Sequence, residues 1–187
     1  VAVPVFAEEV RRKYAALVSY VDSQVGKLMD QLDRSGKREN TIVVLWGDHG
    51  WHVGEHGVWG KHTLFEESLR SPLIISHKDI PKSGEPSEAV VESIDIFPTL
   101  CDIANIPIPE YIYGKTLKPQ LDNPESHGHS AVGFQKHRKT IRTENHRLVL
   151  HNNGYAELYD FSNTKNPSIN RAQDFPNIVT QLTEQLN

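Results

Sequence analysis

The sequence is short of cysteine, of long apolar runs and of any dominant charge, and each scarcity excludes something. Cys101 is the only cysteine, so no intrachain disulfide can form. It sits in the stretch PTLCDIA, which has the pattern of an apolar helix face, so its thiol reads as buried and inert rather than nucleophilic. No run approaches the roughly 20 apolar residues that a membrane span requires, so none is expected. Residues 1–6 are apolar but too few for a secretory signal, and they lack its basic start. Lysine and arginine number 20 against 24 acidic residues, a net charge of −4 at pH 7. A chain so balanced has no basic field for nucleic acid or an anionic membrane surface. Its 187 residues suffice for one good core, or for one domain with a small appendage.

What is present begins with a helix. From Glu8 to Leu32, apolar residues recur at Tyr14, Leu17 or Val18, Val21, Val25, Leu28 and Leu32. Steps of three and four predict an amphipathic helix with one core-facing stripe, ended by Gly36. Thr41 to Trp46 follows without a charge and predicts a short strand buried on both faces. Helix then strand is half of a βαβ unit. After a glycine-rich loop, Leu64–Arg70 predicts a short helix and Leu73–Ser76 a second buried strand. Lys78–Ser87 is a surface loop, and Asp95 stands as a capping residue before a helix from about Phe97 to Ala104. Between Tyr111 and Gly128 only turns are expected, with His127, His129 and His137 solvent-exposed. Four short strands follow, at 130–134, 140–143, 147–151 and 157–161, with HNNG (His151–Gly154) as the clearest turn. Asp174–Leu186 predicts an amphipathic helix covering one face of that sheet. The expected organisation is residues 1–125 as an α/β portion and 126–187 as a small antiparallel subdomain with a C-terminal helix.

The chemistry concentrates in DHGWHVGEHGVWGK, Asp48 to Lys61. In an open α/β sheet ligands gather outside the carboxyl ends of strands, where Asp48 and His49 would stand. Glycines 50, 54, 57 and 60 let backbone approach a ligand closely. Two readings of the pair are open: a carboxylate and an imidazole sharing one cation, or Asp48 capping a turn while His49 packs locally. Lys61 is either a solvated lysine or a partly buried ammonium for an anionic group. His52 and His56 are either loop hydrogen-bonders or proton shuttles.

These residues carry a resemblance. The Asp48–Lys61 stretch, followed by Phe65 and by Arg70-Ser-Pro-Leu-Ile-Ile75, resembles the C-terminal half of a sulfatase in the alkaline phosphatase superfamily. The likeness is greatest to the iduronate-2-sulfatase-like group. Tyr14–Gly26, Ser93–Leu100, Ile141–Thr143 and Glu157–Asp160 are similar to further segments of the same enzymes. The resemblance implies part of an αβα sandwich followed by a small α+β subdomain. It also implies a divalent metal held by Asp48 and His49, usually Ca²⁺, with Mn²⁺ or Mg²⁺ as alternatives. Lys61 would touch the sulfate, and the substrate would be a sulfate ester of a saccharide.

The family's nucleophile is a formylglycine made from the cysteine of Cys-x-Pro-Ser-x-Arg. Cys101 is followed by Asp-Ile-Ala and does not match. The resemblance therefore implies a C-terminal portion that is inactive alone and is partnered by an N-terminal half carrying the formylglycine. Phosphonate monoester hydrolases, which share His at position 49, are the alternative within the superfamily, and a non-catalytic subunit or a sulfated-glycan binding module is the non-enzymatic one. Family members are commonly periplasmic, extracellular or lysosomal, and the sequence itself names no compartment.

Overall fold

A computed structural model describes residues 4–165 and 167–186. Residues 1–3, Asn166, in the polar stretch 164–171 that reads as a loop in the sequence, and Asn187 lie outside the described residues. The chain groups into two compact units, Val1–Asp79 and Ile80–Asn187.

In the first unit, helix α1 spans Pro4–Arg34. Gly36, at φ +67°, turns the chain out of it, and its N–H donates to the Asp33 carbonyl at 3.0 Å. The helix matches its periodicity, but its apolar stripe does not meet a core. No residue of α1 is buried, and Leu17, Val18 and Val21 are all more than half exposed. The reason is the small layer beside it. Strand β1 (Val43–Trp46) pairs only with β4 (Leu73–Ser76), antiparallel, in a two-stranded sheet. Neither strand is buried on both faces as its composition suggested, and Leu45, Trp46 and Ile74 are exposed. Between them lie a hairpin, β2 (His52–Val53) with β3 (Trp59–Gly60), and one helical turn, α2 (Glu66–Leu69).

The second unit has a proper core. Strands β5 (Ala131–Gln135), β6 (Arg138–Arg142), β7 (His146–His151) and β8 (Ala156–Asp160) form an antiparallel meander in chain order. Alternation sends Ile141, Leu148 and Leu158 to one face, where Leu182 of α5 (Pro176–Gln185) closes over them. Gly154, at φ +84°, makes the expected turn between β7 and β8.

Asp95 is the polar counterpart of that core. It precedes helix α3 (Ile96–Ile103), yet its carboxylate makes no capping bond to it. Fully buried, it accepts the N–H groups of Glu92 (2.7 Å) and Lys115 (2.8 Å) and lies 2.8 Å from His129 Nε2. The expected cap is instead a hub, and His129 is drawn in against it rather than left in solvent. Gly114 and Gly128 let the chain press on this segment: a Cβ would meet the carbonyl oxygens of Ile94 at 2.1 Å and Val90 at 2.0 Å. Helix α4 (Lys118–Asp122) occupies a stretch that read only as turns. Cys101 is buried in α3 as expected.

Asp95→Ala would strand three donors around a buried hole. It is expected to cost about 3–5 kcal/mol, with Asp95→Asn intermediate, measured from urea midpoints. Tyr159 is buried and donates its O–H to Glu157 Oε2 at 2.5 Å; burial first, and that bond second, hold its proton well above the ordinary tyrosine range. The stability this lends is whole below about pH 10 and drains as pH rises beyond it. Tyr159→Phe is expected to flatten that alkaline decline in equilibrium unfolding.

Candidate functional site

The site begins where β1 ends. Gly47 follows Trp46, and its N–H donates to the Pro72 carbonyl at 3.0 Å, so the chain leaves the strand held close to β4. Asp48 and His49 come next, outside the carboxyl end of the strand. Gly50 then passes against α2: its N–H donates to the Ser68 carbonyl at 2.8 Å. A Cβ on Gly50 would sit 2.0 Å from the Glu67 carbonyl oxygen, so only glycine fits this crossing.

The hairpin turns the chain back. His52 pairs with Gly60 and Val53 with Trp59. The turn between them runs through Gly54 (φ +117°), His56 (φ +55°) and Gly57 (φ +70°), with the Gly54 N–H on the Val58 carbonyl at 3.1 Å. Helix α1 braces the hairpin, since Arg11 Nε donates to the Val53 carbonyl at 2.9 Å and Phe6 stands edge-on to Trp59 at 5.4 Å.

This return delivers Lys61 to His49. The Lys61 ammonium lies 2.5 Å from His49 Nε2, across twelve residues of sequence. The other ring nitrogen, Nδ1, faces the Gly50 carbonyl at 2.7 Å. A carbonyl can only accept, so Nδ1 carries the proton and Nε2 presents its lone pair to the ammonium. Asp48 Oδ2 lies 3.6 Å from the same Nε2. Carboxylate, imidazole and ammonium therefore converge on one spot. The Asp48 side chain is 76% exposed and that of His49 31%, so the group faces outward with an open approach.

His52 and His56 are placed differently. His52 is fully buried, with Nε2 2.7 Å from Thr63 Oγ1 and Nδ1, among the described residues, without a hydrogen-bond partner. His56 stacks on Phe65 (4.1 Å between centroids, 11° between planes), and its Nε2 lies 3.4 Å from Glu67 Oε2. Among the described residues, no hydrogen bond, ion pair or ring contact joins either histidine to Asp48, His49 or Lys61. Thr63 and Ser68 emerge as members of the site's support that the sequence did not mark. Their signal was faint: hydroxyls at the two ends of TLFEES, flanking two apolar and two acidic residues.

Among the described residues, no group of three or more His, Cys, Asp or Glu side chains gathers as a metal cage. The Asp48–His49 pair nevertheless suits part of one. His49 has the tautomer of a metal-ligating histidine, its other nitrogen tied to a backbone carbonyl. Its Nε2 and Asp48 Oδ2 stand 3.6 Å apart, close to the about 3–3.5 Å between neighbouring ligands on a cation with bonds of 2.1–2.4 Å.

Comparison with known proteins places the chain among sulfatases. A family model described as Sulfatase matches residues 3–106. A sulfatase of Formosa agariphila is 31% identical over 170 residues, 90% of this chain and 33% of its own length. The iduronate 2-sulfatase of Mus musculus is 33% identical over 128 residues, 56% of this chain and 23% of its own. Among solved structures, a protein in complex with its substrate D-glucosamine-2-N,6-O-disulfate superposes with TM-score 0.84 at 30% identity, over 94% of this chain and 39% of that one. A phosphonate monoester hydrolase from Silicibacter pomeroyi gives TM-score 0.84 at 25% identity, over 96% and 40%. The chain thus spans about a third of the length of the relatives it matches.

The Gly50 crossing separates two kinds of glycine in this loop. Gly50→Ala is expected to lose about 2–4 kcal/mol and to displace His49, because backbone must move to admit the methyl group. Gly57→Ala has open space around it and only its positive φ to oppose it, and is expected to lose about 1 kcal/mol. Thermal melting of the two variants checks the difference.

Proposed function

The chain belongs to the sulfatase family, and on that premise we propose that the full-length protein hydrolyses sulfate esters of saccharides. The observation that carries the reading is the convergence of Asp48, His49 and Lys61 at the end of β1, a carboxylate and an imidazole beside an ammonium. A sulfate ester presents three oxygens whose charge rises as the ester bond breaks, and such charge is what this pairing favours. The sugar enters through the relatives: one structural neighbour holds a glucosamine disulfate.

In this reading Asp48 and His49 supply two ligands to a divalent cation, Ca²⁺ first, with Mn²⁺ or Mg²⁺ as alternatives. The bound cation would act as a Lewis acid toward the sulfate oxygens. Asp48 contributes an anionic oxygen, and the Gly50 carbonyl, by accepting the Nδ1–H, leaves the His49 Nε2 lone pair on the side of Asp48 and Lys61. Lys61 places its ammonium against the sulfate and stabilises the transition state more than the ground state. The nucleophile is not among residues 1–187, since Cys101 is buried in α3 and outside the formylglycine motif. Residues 1–187 alone are therefore inactive in this proposal. The exposed stripe of α1 and the open faces of β1 and β4 would be covered by an N-terminal portion that brings the formylglycine.

A second reading has its own support. The phosphonate monoester hydrolase neighbour superposes as well as the disulfate-bound protein does, and the same three residues suit a phosphoryl group.

Turnover of matched 4-nitrophenyl sulfate and phenylphosphonate esters by the full-length protein decides between them. The sulfate is expected to be preferred, and chelation followed by Ca²⁺ is expected to abolish and restore activity. Asp48→Ala and Lys61→Ala are each expected to lower kcat/KM by on the order of 100-fold or more. Undiminished activity in both variants overturns the assignment; a phosphonate preference favours the second reading.

A further inference from the structure

Five contacts close a ring around the candidate site. Lys61 Nζ meets His49 Nε2 at 2.5 Å, and His49 Nδ1 meets the Gly50 carbonyl at 2.7 Å. The Gly50 N–H donates to the Ser68 carbonyl at 2.8 Å. The Ser68 hydroxyl lies 2.9 Å from Thr63 Oγ1, and the Thr63 N–H donates to the Lys61 carbonyl at 2.9 Å. Ser68 is the buried member of this ring, while Thr63, Gly50, His49 and Lys61 are half-buried. Ser68 is 2% exposed, and His52, at 0%, presses Nε2 onto the same Thr63 oxygen at 2.7 Å.

Polar side chains in such a place need a reason. Valine would occupy the space of Thr63 and alanine nearly that of Ser68, without hydroxyls to satisfy. The His52 ring stays buried although, among the described residues, its Nδ1 has no hydrogen-bond partner. Among the described residues, the bond from Nε2 to Thr63 is the polar link that this ring makes. Thr63 Oγ1 also receives the Phe65 N–H at 3.3 Å, so a single hydroxyl ties the hairpin, the Lys61 segment and the start of α2 together.

We propose that His52, Thr63 and Ser68 are positioning residues, a buried hydroxyl–imidazole brace that sets the separation of the Lys61 ammonium from the His49 ring. The proposal rests on the sulfatase reading for what the separation is used for. The brace itself stands on the ring of contacts. A lysine side chain has four rotatable bonds, so its ammonium is held in place only if the backbone beneath it is held. The brace fixes that backbone on one side of the ring and, through Ser68 and Gly50, the imidazole on the other. Misplacing a catalytic group by about 1 Å can cost on the order of 100-fold in rate.

The test uses the full-length protein with 4-nitrophenyl sulfate and the variants Thr63→Val, Thr63→Ser, Lys61→Ala and Thr63→Val/Lys61→Ala. Thr63→Val is expected to lower kcat about 10-fold with KM within about 2-fold, and Thr63→Ser to recover most of the loss. In the Lys61→Ala background the same valine is expected to cost less than about 2-fold, because the group it positions is gone. Equal loss in both backgrounds, or no recovery by serine, overturns the brace. If Lys61→Ala alone changes nothing, the sulfatase assignment of Lys61 fails, and the brace is judged by a readout that needs no activity. Amide exchange at Gly50, which touches Ser68 but not Thr63, is expected to quicken about 10-fold in Thr63→Val while that of Leu148 holds. Unchanged exchange at Gly50, or equal quickening at Leu148, overturns it whatever the substrate.

Discussion

The contact between the Lys61 ammonium and the His49 imidazole makes one site out of a strand end and a hairpin. It exists because three backbone conditions hold together. β1 must stop at Gly47, Gly50 must cross α2 without a side chain, and the β2–β3 turn must run through left-handed φ at Gly54, His56 and Gly57. The glycines are thus geometric requirements at two different kinds of place. At Gly50 the constraint is a neighbour's carbonyl; at Gly57 it is the dihedral alone. A substitution at the first disturbs the reactive group directly, and one at the second loosens the approach to it.

The two units differ in how they are stabilised. The second unit has an apolar layer between β5–β8 and α5 on one hand and the Asp95 hub on the other. The first has hydrogen bonds and glycine contacts in its loop but little apolar burial. Leu64 is its one buried hydrophobic side chain among the described residues. Hydrogen bonds contribute about 1 kcal/mol each, far less than is needed to order a 31-residue helix and two lone strands. The contacts beneath Lys61 are consequently carried on a scaffold whose apolar side chains on α1, β1 and β4 are largely exposed.

Local signals were legible in the sequence where they depended on near neighbours. The period of α1, its stop at Gly36, the β1 strand, the turn at Gly154 and the α5 face all follow from residues within a few positions of one another. The grouping of Asp48, His49 and Lys61 was legible for a similar reason, as the glycines between them announce a loop that doubles back. Burial was not legible. Thr41–Trp46 has the composition of a strand covered on both faces, but composition records what a segment can bury, not whether a cover is present. Asp95 illustrates the same limit with a polar group. It has the local pattern of a helix cap, whereas its ligands Lys115 and His129 arrive from 20 and 34 residues away.

His52 and His56 show how far a motif carries by itself. Within the Asp48–Lys61 stretch every histidine has the same claim to chemistry, and only the hairpin register separates them. Pairing His52 with Gly60 buries its ring against Thr63, while the positive φ of His56 lays its ring on Phe65. His49, ahead of the hairpin, turns its Nε2 to Lys61. Three imidazoles within eight residues thus take three roles, and what divides them is the direction each backbone segment faces rather than any property of the side chain. A function assigned to this stretch must therefore be argued from its fold, because the residue types leave the roles interchangeable.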